Sequence, residues 1–495
     1  MTDNLNQKIG KATAWSSVTE ILAKLISPIV NIVLARLLLP EAFGIVATIT
    51  MVISFAEVFT DAGFQKYIVQ KEFKNEDELN QSTIVAFWTN LCMSAFVCII
   101  IYFFRNKIAS IVGDPELGNA ISIASLSIML YAFSSIQMAR YKRDFDFKTL
   151  FFVRIGTSLI PLFITIPLAI VLRNFWALLI GNFASQIFNA IVLTVKSKWK
   201  IKFYYSFSLL KQMLSFSAFT LLESISIWLT ANIDIFIISN CLNQHYLGLY
   251  KTSISTINSY LGLITAAIVP VLFSALSRNQ ENETEFKKTY YLFQKLTAAF
   301  VIPMGIGIYL FSDLITLILL GENWLEASGF MGIWGLTSAF TIIFSHFSSE
   351  VFRSKGKPLI SLIVQISQIL VLIPVLLIFK DHGFSAIYIS RSLVRIELML
   401  ISLILMCSLY KFNILTILKN NMPMIISASI MGFAGYMLQK ISSHILWQFA
   451  VIAICVLIYL TILLSCFSTV RREIMELPIV KKTINKVFKK NVSNK

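Results

Sequence analysis

The stretch that decides the fold runs from Ala14 to Phe64 and reads AWSSVTEILAKLISPIVNIVLARLLLPEAFGIVATITMVISFAEVFTDAGF. It holds two mainly apolar segments of about 20 residues each, the length that a helix needs to cross a bilayer at about 1.5 Å per residue. A very short break separates the segments. The stretch therefore predicts a hairpin of two membrane-spanning helices.

Both segments carry charged side chains inside the apolar span, Glu20 and Lys24 in the first and Glu57 and Asp61 in the second. A charge at bilayer depth costs about 2.5–3.5 kcal/mol on insertion scales. A sequence that keeps such charges is expected to use them, so these four residues are functional candidates.

The composition of the whole chain excludes a soluble or a disordered protein. The 495 residues are 57% hydrophobic and 14% charged, whereas a soluble domain has about 25% charged residues. We expect no cleavable signal peptide, because the first apolar segment is long enough to span and lacks a small-residue cleavage site. The six cysteines form no CxxC motif and the four histidines are scattered, so neither a disulfide framework nor a metal site is predicted.

The pattern predicts an all-α polytopic membrane protein, because alternating strands are absent and only helices or closed barrels satisfy their backbone in lipid. About fourteen transmembrane helices are expected, at about 14–38, 43–63, 80–104, 116–138, 149–172, 174–195, 214–239, 246–273, 289–311, 326–350, 358–379, 384–410, 423–440 and 445–468.

The net charge of +16 is read as a topology signal and not as nucleic-acid binding. About thirty basic residues fall in the loops and tail on one side of the predicted membrane, and about five in the opposite loops. Both termini are therefore expected in the cytoplasm, and the basic side is expected to attract anionic lipid.

The chain also repeats itself. NIVLARLLLPEAFG from Asn31 aligns with DIFIISNCLNQHYLG from Asp234 with one inserted residue, which places Gly44 on Gly248. The offset of about 200 residues is close to six helices. We therefore predict two six-helix lobes, 1–213 with its linker and 214–410, with a site between them. Residues 411–495 would add two helices and a basic cytoplasmic tail.

Three segments carry a family resemblance: LARLLLPEAFGIVA, DAGFQKYIVQ and LGLYKTSISTINSYLGLITAAIVPVLFSALSR. Together they resemble the polysaccharide transporters, or Wzx-type flippases, of the multidrug/oligosaccharidyl-lipid/polysaccharide (MOP) exporter superfamily. The resemblance covers most of residues 1–410.

The resemblance implies a MATE-like, V-shaped transporter of the bacterial inner membrane with two pseudo-symmetric lobes that alternate access. Its implied cargo is undecaprenyl-pyrophosphate-linked oligosaccharide, moved from the cytoplasmic to the outer leaflet for O-antigen, capsule or exopolysaccharide. Membrane lipids, a polymerase and assembly proteins would be partners of a monomeric protein.

Such a cargo needs fixed cations in a wet cavity, where lysine acts as a point charge and arginine as a two-pronged donor. Six basic residues within spans are candidates for binding the pyrophosphate: Lys24, Lys251, Arg391, Arg395, Arg154 and Arg36. Lys24 alternatively forms an internal salt bridge with Glu20, one turn earlier. Lys251 alternatively anchors the helix at the interface, Arg36 alternatively closes a helix end, and Arg391 and Arg395 alternatively pair with carboxylates such as Glu397.

Five carboxylates within spans are candidates for ion-coupling sites or for counter-ions of the candidate basic residues: Glu20, Glu57, Asp61, Glu223 and Asp234. Glu57 and Asp61 are four residues apart on one helix face, and the repulsion between them favours protonation of one, as a proton site requires. Pairing with loop lysines, or a capping role for Asp234, is the alternative. Coupling to H⁺ or Na⁺ is therefore a hypothesis.

Two other classes of protein remain as rivals. An ion-coupled multidrug or toxin extruder of the same superfamily predicts twelve helices and an anionic cavity. A membrane enzyme such as a glycosyltransferase needs a large extramembrane domain, whereas every outer loop here is short. No Walker motif is present, so we expect a non-enzymatic transporter that uses no ATP and no cofactor.

Overall fold

The computed structural model describes residues 2–197, 199–468 and 471. Within these residues the regular structure is helical throughout. The helices are α1 Thr2–Leu37, α2 Pro40–Asp61, α3 Phe64–Gln70, α4 Glu76–Ile111, α5 Gly118–Arg143, α6 Phe147–Ile160, α7 Ile166–Leu172, α8 Trp176–Lys196, α9 Phe207–Cys241, α10 Gln244–Arg278, α11 Glu283–Leu310, α12 Ser312–Leu319, α13 Ser328–Thr341, α14 Phe347–Ser354, α15 Pro358–Phe379, α16 Gly383–Tyr410, α17 Ile414–Gln439 and α18 Ile445–Cys466.

Twelve stretches of the described chain are long and apolar enough to cross a bilayer. One of them, Leu359–Tyr410, contains both α15 and α16. The stretch Phe147–Leu172 contains α6 and α7, joined by a single π-helical turn that begins at Pro161. The polytopic all-α class is confirmed. The expected number of fourteen spans is close to this count but is not confirmed by it.

Polar residues begin several helices where the sequence changes from loop to apolar segment. Asn75, Asp146, Asn282 and Asn413 each accept a hydrogen bond from a backbone N–H of the following first turn. Such caps satisfy donors that have no partner inside a helix. The caps fix where α4, α6, α11 and α17 enter the bundle.

The DAGF sequence at the end of the opening stretch interrupts the helical structure between α2 and α3. Ala62 and Gly63 take left-handed backbone angles, with φ of 42° and 79°. Gly63 adopts this conformation without steric cost, whereas Ala62 adopts it at a cost. The chain then re-enters a short helix, α3, that hydropathy did not predict. The short helix α12 was also missed, because hydropathy windows of about 20 residues pass over such elements.

The described chain forms two compact units. The first comprises the chain up to Ala267 together with Thr316–Phe330 and Gln365–Val394. One apolar cluster in this unit joins α3, α4 and α5 to the segment before α9, and it includes Phe64, Phe87 and Trp199. Phe203 of that segment stacks on Trp88 with ring centroids 4.7 Å apart. The basic, aromatic linker between the predicted lobes is therefore packed against α4 at this point.

The second unit comprises Ile268–Ile315, Met331–Val364 and the chain from Arg395. In it α17 packs against both α11 and α18. Tyr459 of α18 donates a hydrogen bond to the carbonyl oxygen of Ala299 at 2.8 Å. The last two helices are thus joined to the rest of this unit by polar contacts as well as by apolar packing.

Candidate functional site

Two glycines mark the point in the first unit where α2 crosses α10. A Cβ atom added to Gly44 would overlap the carbonyl group of Gln244, four residues before Gly248. A Cβ atom added to Gly248 would overlap the carbonyl group of Pro40, four residues before Gly44. This reciprocal contact is the pattern of elements related by a twofold axis. The two glycines that the sequence repeat aligns therefore touch each other.

Polar contacts reinforce the same end of the two helices. His245 of α10 lies between two carboxylates, with Nδ1 2.8 Å from Glu41 Oε1 and Nε2 3.0 Å from Glu326 Oε2. Glu41 belongs to α2 and Glu326 to the 3₁₀ turn before α13. The histidine therefore bridges two elements that are far apart in sequence, a role that the scattered pattern of histidines gave no reason to expect.

The end of α1 is joined to this region by two further hydrogen bonds. The Arg36 guanidinium donates from Nη2 to the carbonyl oxygen of Ile318 at 2.5 Å. Trp324 donates its indole N–H to the carbonyl oxygen of Ala35 at 2.8 Å and is fully buried. Arg36 thus contacts a helix end, which is the structural alternative considered for it above.

Next to the crossing lies a pocket of about 220 Å³ between α1, α2, α9 and α10, lined by both polar and apolar side chains. We call it the Lys251 pocket, because Lys251 is the charged residue among its lining side chains. The other polar lining residues are Asn31, Thr50, Asn232, Thr252, Ser255 and Thr256. Amide and hydroxyl groups beside an ammonium group form a set of donors that suits an anion.

Lys251 is partly exposed and forms no hydrogen bond or ion pair with any other residue that the structure describes. Its hydroxyl-bearing neighbours follow it on one face of α10, at positions 252, 255 and 256. The spacing of one, four and five residues places them together on a helix. The charge inside an apolar span predicted Lys251 as a site residue but not these neighbours, although their helical spacing was a usable signal.

Lys24 lies outside this pocket. Its Nζ atom is 3.4 Å from the carbonyl oxygen of Gly262 on α10, so it reaches across from α1 to a backbone acceptor. The side chain of Glu20 lies outside the described part of the structure, so the predicted pairing of these two residues stays a prediction. Arg154 of α6 is exposed and does not line the pocket.

Arg391 and Asp234 form a buried ion pair in the first unit. Arg391 Nε lies 3.3 Å from Asp234 Oδ2, and the Tyr250 hydroxyl donates to the same oxygen at 2.7 Å. The Tyr250 ring stacks on Phe330 with centroids 5.1 Å apart. This arrangement matches the alternative in which Arg391 pairs with a carboxylate, and it places Asp234 in an ion pair.

Arg395 is held by a different set of groups, within the second unit. Its guanidinium carbon lies 3.8 Å from the centre of the Trp334 ring, a cation–π geometry. Its Nη1 donates to Ser338 Oγ at 2.5 Å. Arg395 is 8% exposed, so its charge is enclosed by these neighbours.

The carboxylates of α2 and α9 differ in their surroundings. Glu223 of α9 forms an ion pair with Lys66, at 2.7 Å. Neither Glu57 nor Asp61 belongs to any ion pair formed by the described residues, and Asp61 Oδ1 is buried without a hydrogen-bond partner there. Next to them Gln65 donates to the Tyr131 hydroxyl at 2.9 Å. Among the predicted carboxylates whose side chains the structure describes, Glu57 and Asp61 are thus the two outside an ion pair.

Comparison with known proteins gives a consistent family. Residues 33–329 match a family described as polysaccharide biosynthesis protein. The succinoglycan biosynthesis transport protein ExoT of Rhizobium meliloti is 23% identical over 68% of this chain and 68% of its own length. The lipopolysaccharide biosynthesis protein WzxC of Escherichia coli is 20% identical over 65% of each chain.

Among solved structures, the lipid II flippase MurJ in an inward closed conformation superimposes with a TM-score of 0.74 at 17% identity, over 92% of this chain and 99% of that one. At this identity the likeness shows a shared fold. The match to the family covers more than half of the chain, which confirms the resemblance found in the sequence. The chain belongs to the family described as polysaccharide biosynthesis protein.

Proposed function

We propose that this multi-span membrane protein is a flippase that moves undecaprenyl-pyrophosphate-linked oligosaccharide from the cytoplasmic to the outer leaflet by alternating access. The observation that carries the proposal is the Lys251 pocket. A lysine that has no partner among the described residues, with amide and hydroxyl groups beside it, suits phosphate oxygens. An extruder of cationic drugs would need carboxylates in that position.

The size of the pocket indicates which part of the cargo it can hold. A cavity of about 150 Å³ accommodates a six-atom ring such as benzene, so 220 Å³ has room for phosphate groups but not for an oligosaccharide. The pocket thus holds the pyrophosphate, and the sugars occupy space beyond it. Lys251 is the charge that compensates the phosphates.

The crossing of α2 and α10 supplies the closed end in this scheme. The loop charges place the turn between α1 and α2 outside the cell, with both termini in the cytoplasm. The contact between Gly44 and Gly248 then closes the outer end of the first unit. The predicted repeats, 1–213 and 214–410, are the lobes that separate at this contact, while 411–495 is an addition to them.

The decisive experiment deletes the gene and measures in which leaflet the undecaprenyl-linked oligosaccharide accumulates. The proposal expects accumulation on the cytoplasmic side and loss of surface glycan. Complementation with Lys251→Ala should fail, Lys251→Arg should restore part of the surface glycan, and Lys107→Ala, an exposed lysine on α4, should behave like the wild type. Full complementation by Lys251→Ala at normal expression would overturn the assignment.

We further propose that Glu57 and Asp61 couple the cycle to H⁺ or Na⁺, because Glu223 and Asp234 are already in ion pairs. In sealed vesicles the rate of flipping should depend on the ion gradient, and Asp61→Asn should remove that dependence. A rate that does not change when both gradients are collapsed would refute coupling and leave the flippase itself untouched.

A further inference from the structure

A second cavity in the first unit is almost purely apolar. It measures about 550 Å³ and lies between α2, α4 and α9. We call it the apolar groove. Its lining side chains are aliphatic or aromatic, and the indole N–H of Trp228, their one hydrogen-bond donor, is already bonded to Ser54 Oγ at 2.9 Å. The groove therefore offers no described polar side-chain group to a ligand.

The groove adjoins the Lys251 pocket. Met51 of α2 lines both cavities, and both helices α2 and α9 contribute to both. Along α2, Ala47 and Thr50 line the Lys251 pocket. Phe55 and Phe59, about one and two turns after Met51, line the groove. A pocket that contains a lysine and an apolar groove thus share one lining residue, Met51.

The chemistry of this junction selects the ligand. A ligand that occupies both cavities needs an anionic head and a hydrocarbon chain that begins close to that head, because the two cavities share the lining residue Met51. A polyprenyl phosphate has this form, with the phosphate ester on the first isoprene unit. A phospholipid has a glycerol and two carboxylic esters between phosphate and chains, and the groove has no polar group for those ester oxygens.

The volume of the groove sets the length of chain that it holds. With about 150 Å³ for a six-carbon ligand, 550 Å³ accommodates on the order of 20 carbons, or roughly four isoprene units. A longer chain leaves over the rim, where Phe55, Phe59, Ile100 and Ile111 are each more than a third exposed. At bilayer depth such a rim faces hydrocarbon, so the remaining chain stays in lipid.

We propose that the apolar groove between α2, α4 and α9 binds the first isoprene units of the polyprenyl chain whose phosphorylated head occupies the Lys251 pocket. The inference rests on the proposed function, since it is the tail of the same cargo. It gives the tail a defined site on the protein.

The test compares two neighbouring substitutions on α4. Ile100 lines the groove and is 38% exposed, whereas Ile99 is 53% exposed and does not line it. Ile100→Trp fills the groove from its rim, and Ile99→Trp adds the same bulk elsewhere. Binding of undecaprenyl phosphate to the purified full chain is measured by native mass spectrometry, with inorganic pyrophosphate as a competitor that carries only the head.

We expect Ile100→Trp to weaken the binding of undecaprenyl phosphate about tenfold or more and to leave the competition by pyrophosphate unchanged. Ile99→Trp should bind undecaprenyl phosphate like the wild type. Equal affinities of the two variants for undecaprenyl phosphate would refute the proposal that the groove binds the polyprenyl chain. If Lys251→Ala still weakened binding in that case, the proposed function would stand. Failure of the wild type to bind undecaprenyl phosphate at all would instead count against the function and the groove together.

Photocrosslinking covers the case in which Ile100→Trp does not fold. A benzophenone amino acid at position 100 should label undecaprenyl phosphate in vesicles of phosphatidylglycerol, and the same group at position 99 should label phosphatidylglycerol. If position 100 labelled phosphatidylglycerol even with undecaprenyl phosphate in excess, the groove would hold ordinary phospholipid and the proposal would be wrong.

Discussion

Replacing Gly248 by alanine places a methyl group where α10 crosses α2, and it should push the two helices apart. The added Cβ would lie 2.6 Å from the carbonyl carbon of Pro40 and 3.1 Å from the backbone nitrogen of Gly44. Carbon atoms pack best at about 3.5–4.0 Å. The backbones must therefore separate by about 1 Å, and neither obstacle is a side chain that can turn away.

Overpacking of this kind costs about 1–3 kcal/mol. A change of about 1–3 kcal/mol is roughly a 5- to 150-fold change in an equilibrium constant. The cost falls only on conformations in which the two helices cross, so Gly248→Ala should shift the protein toward conformations that are open at this end by a factor in that range.

The assay uses Thr50, an exposed residue of the Lys251 pocket, as a reporter. With the six native cysteines replaced, Thr50→Cys is labelled in intact cells by a maleimide that does not cross membranes. Gly248→Ala should raise the labelling rate about 5- to 150-fold. Gly262→Ala is the matched control on the same helix, because its Cβ would meet only Lys24 Nζ, at 3.9 Å.

Two results would refute the reasoning. Unchanged labelling in folded Gly248→Ala would mean that the crossing does not limit access to the pocket. An equal increase in Gly262→Ala would mean that the effect comes from any added methyl group on α10 and not from the contact with α2.

Three further predictions concern the polar contacts. Asp234→Asn removes the ion-pair partner of the buried Arg391 and should destabilise the protein by about 3–5 kcal/mol, measured as a lower melting temperature in detergent. Replacing Asp234 by leucine and Arg391 by methionine together should recover much of this stability. A wild-type melting temperature for Asp234→Asn alone would contradict the pairing. Arg395→Lys loses the planar stack on Trp334, at 3.8 Å, and should cost about 1–2 kcal/mol in the same measurement; no change would mean that the stack contributes nothing. His245→Ala removes the bridge between two carboxylates at the α2–α10 crossing and should increase the maleimide labelling described above, whereas unchanged labelling would show that the bridge does not hold this end closed.

The sequence by itself determined the class of protein, an all-α polytopic membrane protein. Apolar segments of about 20 residues allow few structures in lipid, because backbone polar groups must bond within the segment. The repeat that aligns Gly44 with Gly248 likewise followed from letters alone. Boundaries were less well determined, and the short helices α3 and α12 were missed because a hydropathy window averages over them.

Only the tertiary structure decided which charges have partners. The sequence offered Lys251, Arg391 and Arg395 alike as candidate cations. In the structure Arg391 pairs with Asp234, and Arg395 lies on the Trp334 ring. Of the three, Lys251 lines the Lys251 pocket and has no partner among the described residues. Pairing depends on contacts between residues more than 50 positions apart, and helical periodicity reports only which residues share a face, not what that face meets. That Met51 lines both the Lys251 pocket and the apolar groove is hidden for the same reason, since four helices must pack to form the pocket and three to form the groove.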